Sequence, residues 1–186
     1  MPPPDDPDIS DDALVGAALA GDARAFDALL TRHESSVLRV LRLLGVPSRD
    51  REDVAQEVFI RVFRHLKGFQ RGRSFSGWLY RVSLNAAHDY RFRAMRKARD
   101  ETPWTEGLDP SAGSDSVDAT DVRRRLEAAL SRLSERERAV FVLREIEGLE
   151  THEIAKAMGI TGITVRRHLA LARGRLRSLL AGTEKK

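Results

Sequence analysis

The stretch Arg61–Arg99 reads RVFRHLKGFQRGRSFSGWLYRVSLNAAHDYRFRAMRKAR and determines how the rest of the chain is interpreted. It contains eleven Lys or Arg residues and one acid, Asp89, with seven aromatic side chains among the positive charges. Clustered cations attract a polyanion, and interleaved aromatic rings stack on unpaired bases at about 1–3 kcal/mol per base. The composition therefore indicates binding to opened nucleic acid. Some of the rings must instead fill a helical core, and Phe63 and Leu66 have the spacing of core residues.

A loop with two glycines divides this stretch into two helices. Gly68–Ser74 reads GFQRGRS, and glycines so close together break a helix and let the backbone approach a ligand. Ser74 or Ser76 caps the second helix, which we expect to run to about Lys97. Helical spacing predicts a packed face made of Leu79, Val82, Ala86 and Tyr90. The opposite face carries Arg81, Asn85, His88 and Arg91 or Phe92. The Asn85 amide both donates and accepts hydrogen bonds, so it can match a base edge.

Upstream of this stretch the pattern is helical throughout. Ser10 and Asp22 are expected to cap two helices, the second of which ends at Gly45, and a third helix runs from Ser48 to about Lys67. Its outer face forms a stripe of Asp53, Gln56, Glu57, Ile60 and Arg64. An exposed Ile among acids indicates a protein partner, and a solvated face with one stray aliphatic side chain is an equally good interpretation of the pattern alone.

Downstream, the composition changes at Asp100. Asp100–Asp121 contains seven acids and no base, which predicts an extended linker between domains, and composition alone favours a plain tether with no further role. Ser134 and Glu137 then form a capping box. The segments Thr151–Met158, Gly159–Ile160 and Thr161–Leu180 have the lengths of a helix, a short turn and a second helix, which is the pattern of a helix-turn-helix.

The last predicted helix has one apolar and one basic face. The buried side is expected to contain Val165, Leu169, Ala172 and Leu176. The outward side contains Thr164, Arg167, His168, Leu171 and Arg175. Seven Lys or Arg residues lie between Arg166 and the C-terminus, against one acid. This charge favours DNA, with the first turn of the helix in the major groove.

The length and composition of the whole chain limit the number of domains and the cellular compartment. The 186 residues carry a net charge of +4 and are 41% hydrophobic, which fits one domain of ordinary size or two small ones, and the absence of cysteine fits a reducing cytoplasm. The helical pattern along the chain predicts an all-α fold. The acidic, proline-rich Met1–Asp8 is unlike a signal peptide, and no apolar run suggests a membrane span. Catalytic motifs are absent: His152-Glu153 is followed by Lys156 where a zinc protease needs a second His. We predict no catalytic residue, no metal and no cofactor.

Several motifs together resemble one protein family. They are Asp53-Val54-Ala55-Gln56-Glu57-Val58-Phe59; Phe75 with Trp78-Leu79-Tyr80-Arg81-Val82, Asn85 and Tyr90; Leu133-Ser134-Glu135-Arg136; Glu153-Ile154-Ala155; and Thr164-Val165. In order and spacing, from about Ala13 to Leu180, the chain resembles a bacterial RNA polymerase sigma factor of the extracytoplasmic-function (ECF) group. The resemblance implies a region 2-like domain over residues 10–97, an acidic linker over 98–119 and a region 4-like helix-turn-helix domain over 120–182.

The resemblance also implies partners and contact residues. The clamp helices of the largest catalytic subunit of core RNA polymerase would bind Asp53, Gln56, Glu57 and Ile60. The opened −10 element of a promoter would bind Phe69, Arg71, Arg73, Phe75, Trp78, Arg81, Asn85 and His88. The duplex −35 element would bind Thr161, Thr164, Arg166, Arg167, His168, Leu171 and Arg175. The family further implies an anti-sigma factor as a regulator and no catalytic activity of the chain itself.

One segment departs from the family pattern. Arg167 and His168 stand where the family commonly has Ser and Arg, and Leu171 replaces a common Arg, so the resemblance does not carry the usual −35 sequence preference over to this chain. Two other functions also fit the residues. One is a self-sufficient regulator that binds duplex DNA through the helix-turn-helix without polymerase. The other is a single-stranded-nucleic-acid-binding protein in RNA metabolism.

Overall fold

The computed structural model describes residues 9–70, 73–100 and 117–181, and within these ranges all regular secondary structure is helical. The helices are α1 (Asp11–Leu19), α2 (Ala23–Leu43), α3 (Ser48–His65), α4 (Phe75–Asp100), α5 (Val117–Ser131), α6 (Glu135–Phe141), α7 (Thr151–Met158) and α8 (Gly162–Ala181). A 3-10 turn, Leu66–Gly68, follows α3, and a π-helical turn, Val142–Ile146, follows α6. The predicted all-α fold is confirmed. None of the helices in these ranges has the length and apolar character required to cross a membrane.

The N-terminal domain consists of α1–α4, and its helices begin where the sequence predicts. The Ser10 hydroxyl accepts a hydrogen bond from the Ala13 amide, and the Asp22 carboxylate accepts one from the Arg24 amide. These side chains satisfy backbone donors that have no partner within the helix. Helix α2 packs on α1, α3 and α4. The buried side chains of this core include Leu29, Val37, Val40, Leu41, Val58, Val62 and Leu79.

Helix α4 starts at the predicted cap. The Ser74 hydroxyl accepts a hydrogen bond of 3.0 Å from the Gly77 amide, which identifies Ser74 as the capping residue of the two candidates. Leu79 and Ala86 are buried, and Val82 and Tyr90 are partly buried. The packed face of α4 is therefore the one that the periodicity predicts. The helix continues three residues beyond the expected end at Lys97.

The C-terminal domain consists of α5–α8. Ser134 and Glu137 form the predicted capping box, in which the Glu137 amide donates to the Ser134 hydroxyl and the Ser134 amide donates to the Glu137 carboxylate. Gly159 ends α7 with φ +65°, a left-handed conformation that glycine adopts without steric cost. Thr161 then opens α8, because its hydroxyl accepts a hydrogen bond from the Thr164 amide. Helices α7 and α8 form the predicted helix-turn-helix.

One expectation needs correction. Leu66 is buried, but Phe63 is 66% exposed and does not belong to the core, because helical rotation places it between the core stripe and the outer face. The first residues of the predicted linker, 98–119, belong to the end of α4 at Asp100, and its last residues belong to α5, which begins at Val117. The remainder of that segment lies outside the described residues.

The two domains pack against each other. Their buried apolar side chains belong to one continuous cluster, and α4 contacts α7. At the turn after α2, Gly45 has φ +89°, and a Cβ atom there would lie 2.7 Å from Nη1 of Arg138 in the C-terminal domain. The same Nη1 donates a hydrogen bond of 3.3 Å to the Leu44 carbonyl. The absence of a side chain at position 45 therefore allows Arg138 to reach the N-terminal domain.

Candidate polymerase and nucleic-acid interfaces

An apolar groove of about 560 Å³ runs between α2 and α3. Its lining is Phe26, Leu30, Glu34, Leu38, Glu52, Ala55, Gln56, Phe59, Ile60 and Phe63. Ile60 is 43% exposed, and the exposed Phe63 ring packs edge-on against Phe26 with 5.2 Å between ring centroids. Exposed large apolar side chains that line a groove with acidic residues are typical of a site that binds another protein.

The four predicted polymerase-binding residues do not have equivalent environments. Asp53 and Gln56 are exposed, and Gln56 and Ile60 line the groove. Glu57 is half-buried and forms ion pairs with Arg61 of α3 and Arg93 of α4. Burial raises the pKa of Glu57, but the hydrogen bonds from Arg93 and Arg61 outweigh that effect, and the net pKa is lowered. Glu57 therefore joins α3 to α4, and a change there would also disturb packing within the domain.

The predicted −10 surface lies along one face of α4. Arg81, Asn85 and His88 are exposed, and Trp78 is partly buried on the same face. Their spacing of three and four residues aligns them along the helix. The surface thus presents an indole ring, a guanidinium, an amide and an imidazole in a row. This combination provides both a stacking platform and hydrogen-bonding groups for bases.

Two aromatic residues of the predicted −10 set are in the core. Phe69 is 7% exposed and Phe75 is 4% exposed, so neither ring presents a face to solvent. Their centroids lie 5.3 Å and 5.8 Å from that of Trp78. The expected base contact of these two rings is corrected to a support for Trp78, because packing Phe69 of the loop and Phe75, the first residue of α4, against the indole buries apolar area. Arg73 is exposed, and Arg71 lies outside the described residues.

Helix α7 of the C-terminal domain faces this surface across a cleft of about 540 Å³. The N-terminal side of the cleft includes Arg73, Trp78 and Arg81. The opposite side consists of His152, Glu153, Lys156 and Ala157. Space for a nucleic-acid strand at Trp78 is therefore limited by α7 in this arrangement of the domains.

Polar contacts hold the domains in this arrangement, which we call the closed arrangement. The Glu147 side chain is only 2% exposed and accepts hydrogen bonds from Arg39 Nε at 2.9 Å and from Arg39 Nη2 at 3.0 Å. The Tyr80 hydroxyl also donates to Glu147. Arg91 of α4 forms a second ion pair across the interface, with Glu135. Sequence reasoning missed these residues, since Arg39 and Glu147 are 108 residues apart and no local pattern connects them.

The outer face of α8 is open in the same arrangement. Val165, Ala172 and Leu176 are buried against the domain, and Arg166 and Arg167 are exposed. Leu171 is 42% exposed, Thr164 is partly exposed, and His168 is half-buried. The Thr161 hydroxyl lies 2.9 Å from that of Thr164, so these two polar groups are engaged with each other as well as with the helix start. The predicted −35 residues are thus brought together on one helix face and its flanks.

Arg175 has a structural partner. Its Nη1 lies 2.6 Å from Oε2 of Glu137, whose side chain is 5% exposed. Because Glu137 is also the second member of the capping box, Arg175 links the end of α8 to the start of α6. Arg175 and Arg167 are both exposed, but the Arg175 guanidinium is paired with a buried carboxylate of its own domain.

Comparison with known proteins explains why these surfaces occur in one chain. The family Sigma-70 region 2 matches residues 29–97, and the family Sigma-70 region 4 matches residues 123–176. The chain is 31% identical to the RNA polymerase sigma factor CnrH of Cupriavidus metallidurans, over 97% of this chain and 99% of CnrH. It is 33% identical to the ECF RNA polymerase sigma factor SigM of Mycobacterium tuberculosis, over 92% of this chain and 85% of SigM.

The chain belongs to the ECF sigma factors of RNA polymerase. Solved structures agree with this assignment. The sigma factor resembles CnrH in its complex with the cytosolic domain of CnrY, with a TM-score of 0.71, 31% identity and coverage of 92% of this chain and 97% of that one. It shares the fold of the sigma factor RpoE solved with the anti-sigma factor NepR from Bartonella quintana, with a TM-score of 0.69, 21% identity and coverage of 84% and 96%.

Proposed function

We propose that this sigma factor binds core RNA polymerase and directs transcription initiation at a specific class of promoters, without catalysing a reaction itself. The observation that carries the proposal is the likeness to RNA polymerase sigma factors across nearly the whole chain, with regions 2 and 4 both present and in order. The polymerase supplies the chemistry in the cytoplasm, and the sigma factor supplies promoter recognition.

The groove between α2 and α3 is the proposed polymerase-binding surface. Gln56 and Ile60 line it, Asp53 is exposed on the same helix, and Phe63 adds an exposed ring. An apolar floor with acidic residues at its edge complements an amphipathic helix that carries basic side chains. We assign the clamp helices of the largest catalytic subunit to this groove.

The face of α4 is the proposed −10 surface. Trp78, supported by Phe69 and Phe75, offers an indole for stacking, while Arg81, Asn85 and His88 offer charge and hydrogen bonds. Unpairing DNA costs about 1.4 kcal/mol per base-pair step, so opening several consecutive steps costs more than the roughly 1–3 kcal/mol that stacking on one ring contributes. We therefore expect promoter opening only in the holoenzyme.

The face of α8 is the proposed −35 surface, and residues 10–97 and 120–182 are the proposed functional domains. Arg167 is exposed one turn into α8, where a guanidinium can contact O6 and N7 of guanine. An anti-sigma factor is the proposed regulator, because the structural relative RpoE of Bartonella quintana was solved with one.

Transcription with purified components tests the proposal. Core polymerase alone and core polymerase with this protein are compared on a library of promoter fragments, with permanganate used to detect unpaired thymines near −10. We expect specific transcripts and permanganate reactivity only when both components are present. Specific duplex binding by the protein alone, with no effect on polymerase, would instead support the self-sufficient regulator. Permanganate reactivity without polymerase would support the single-strand-binding function.

A further inference from the structure

Ile163 is a large apolar side chain that the described core does not use. It is 73% exposed, the highest value among the exposed large apolar side chains of the described residues. It is the second residue of α8, at the end of the helix that enters the major groove in helix-turn-helix proteins. The residues singled out above for −35 contact do not include it.

The helical geometry aims Ile163 directly away from the domain. With 3.6 residues per turn, Ile163, Arg167, Ala170 and Gly174 lie on the face opposite Val165, Ala172 and Leu176. All four are exposed or partly exposed, and the three opposing side chains are buried. The outward face therefore starts with an aliphatic side chain and a cation and continues with two small residues. Small residues at 170 and 174 let the helix axis approach a groove closely.

The polar groups next to Ile163 are already engaged. The hydroxyls of Thr161 and Thr164 lie 2.9 Å apart, and the Thr161 hydroxyl also accepts from the Thr164 amide at 3.2 Å. These bonds fix the first turn of α8 and hold Ile163 in an outward position. Ile163 is thus an exposed apolar side chain on the first turn of α8.

In the major groove, the apolar group that a base pair presents is the C5 methyl of thymine. We propose that Ile163 contacts a thymine methyl in the −35 element and selects thymine at that position, next to the base contacted by Arg167. This inference rests on the proposed function, since it assumes that α8 lies in the −35 major groove.

A large exposed fraction does not by itself identify a side chain that contacts a base. Val122 is 70% exposed on α5, but it does not lie on the outer face of α8. What distinguishes Ile163 is its position one turn before Arg167 on that face. Val122 is therefore a matched control, because it is a β-branched aliphatic residue of similar exposure in the same domain.

Thymidine and deoxyuridine differ only by the C5 methyl, and this difference provides the experiment. The holoenzyme first selects its −35 sequence from a randomised library. Each thymine of the selected element is then replaced in turn by deoxyuridine, and binding of the wild-type holoenzyme to each duplex is measured. We expect the replacement at one position to weaken binding about fourfold, the effect of removing one buried methyl group.

Variants of Ile163 test whether this side chain causes the weaker binding to the deoxyuridine duplex. Ile163→Ala should bind the thymine and deoxyuridine duplexes equally, Ile163→Val should retain part of the discrimination, and Val122→Ala should discriminate like wild type. A selected element without thymine, equal binding of both duplexes by wild type, or unchanged discrimination by Ile163→Ala would each overturn the inference. Each of these three outcomes is compatible with promoter-specific transcription by the holoenzyme, so it would not contradict the proposed function. Loss of all sequence-specific transcription by the wild-type protein would instead contradict the proposed function.

Discussion

The Tyr80 hydroxyl of α4 donates a hydrogen bond of 2.5 Å to the Glu147 carboxylate, which joins the two domains although the residues are 67 positions apart in sequence. Arg39 completes this site with two further bonds to the same carboxylate. Because Tyr80 precedes Arg81 and lies two residues after Trp78, the contact forms beside the proposed −10 surface. The same hydrogen bond that holds the domains together therefore keeps α7 opposite Trp78.

Glu147→Gln should weaken the closed arrangement. The substitution keeps the size of the side chain but removes the charge, and hydrogen bonds to charged groups contribute about 1.5–3 kcal/mol. Since the chain has no cysteine, dyes on Ser35→Cys and Ser178→Cys report the distance between the domains. We expect lower energy transfer in the variant and a decrease in wild type at high salt. Glu145→Gln is the control, because Glu145 pairs with Arg173 inside the C-terminal domain. Equal energy transfer in Glu147→Gln and wild type would contradict the prediction.

Opening of the domains should increase binding of single-stranded DNA by the isolated protein. In the closed arrangement α7 limits access to Trp78 and Arg81, so affinity is reduced in proportion to the open fraction. We expect Glu147→Gln to bind a single-stranded −10 oligonucleotide about tenfold more tightly than wild type, as measured by fluorescence anisotropy, if the open fraction rises about tenfold. Adding Trp78→Ala to Glu147→Gln should remove the gain. A gain that persists without Trp78 would show that the oligonucleotide binds elsewhere.

The domain contact should weaken at alkaline pH. Burial and the hydrogen bond to Glu147 raise the pKa of Tyr80 to about 12, whereas a free tyrosine has a pKa near 10. The contribution of Tyr80 is fully present below about pH 10 and is lost as pH rises toward 12, because the separated state releases the proton first. Tyr80→Phe should remove this part of the pH dependence of energy transfer.

Tyr90→Phe is the control for that experiment. Burial and a hydrogen bond to Asp50 also raise the pKa of Tyr90 to about 12, but both groups lie within the N-terminal domain. This variant should retain the wild-type change in energy transfer between pH 10 and pH 12. Identical profiles for Tyr80→Phe and Tyr90→Phe would argue against ionisation of Tyr80 as the cause.

Gln56→Arg should reduce binding to core polymerase and preserve the fold. Gln56 is exposed and lines the groove beside Glu52, so a cation there would oppose a basic partner helix and slow association. We expect co-purification with core enzyme to fall at least tenfold, with an unchanged circular dichroism spectrum. Asp27→Arg serves as the control, since Asp27 is exposed on α2 but does not line the groove. Comparable loss of binding in both variants would indicate a general charge effect.

Arg167→Ala and Arg175→Ala should have different consequences. Arg167 is exposed, and its removal should cost about 1–3 kcal/mol at the selected −35 sequence with no loss of stability. Arg175 pairs with the buried Glu137, and its removal should lower the free energy of unfolding by about 1–2 kcal/mol. Urea unfolding and −35 selection distinguish the two effects. If wild type and Arg167→Ala select the same −35 sequences, Arg167 does not contribute to base recognition.

The sequence alone determined the helices and where they begin. Ser10, Asp22, Ser74 and the Ser134–Glu137 box all cap the helices for which they were predicted, because a cap depends on side chains and amides within four residues of each other. The apolar face of α8 followed from its 3.6-residue period for the same reason. The motifs also indicated the family, since their residue types and order are local properties of the chain.

Tertiary structure decided which side chains remain available. Phe63 has core spacing but is exposed, whereas Phe69 and Phe75 have the composition of a stacking site but are buried under Trp78. Their exposure depends on how Phe69 packs against the start of α4, which no single helix specifies. The contacts of Glu147 with Arg39 and Tyr80 join residues far apart in sequence, so they depend on how the domains pack. Local pattern fixes the faces of each helix, and long-range packing decides which of those faces a partner can reach.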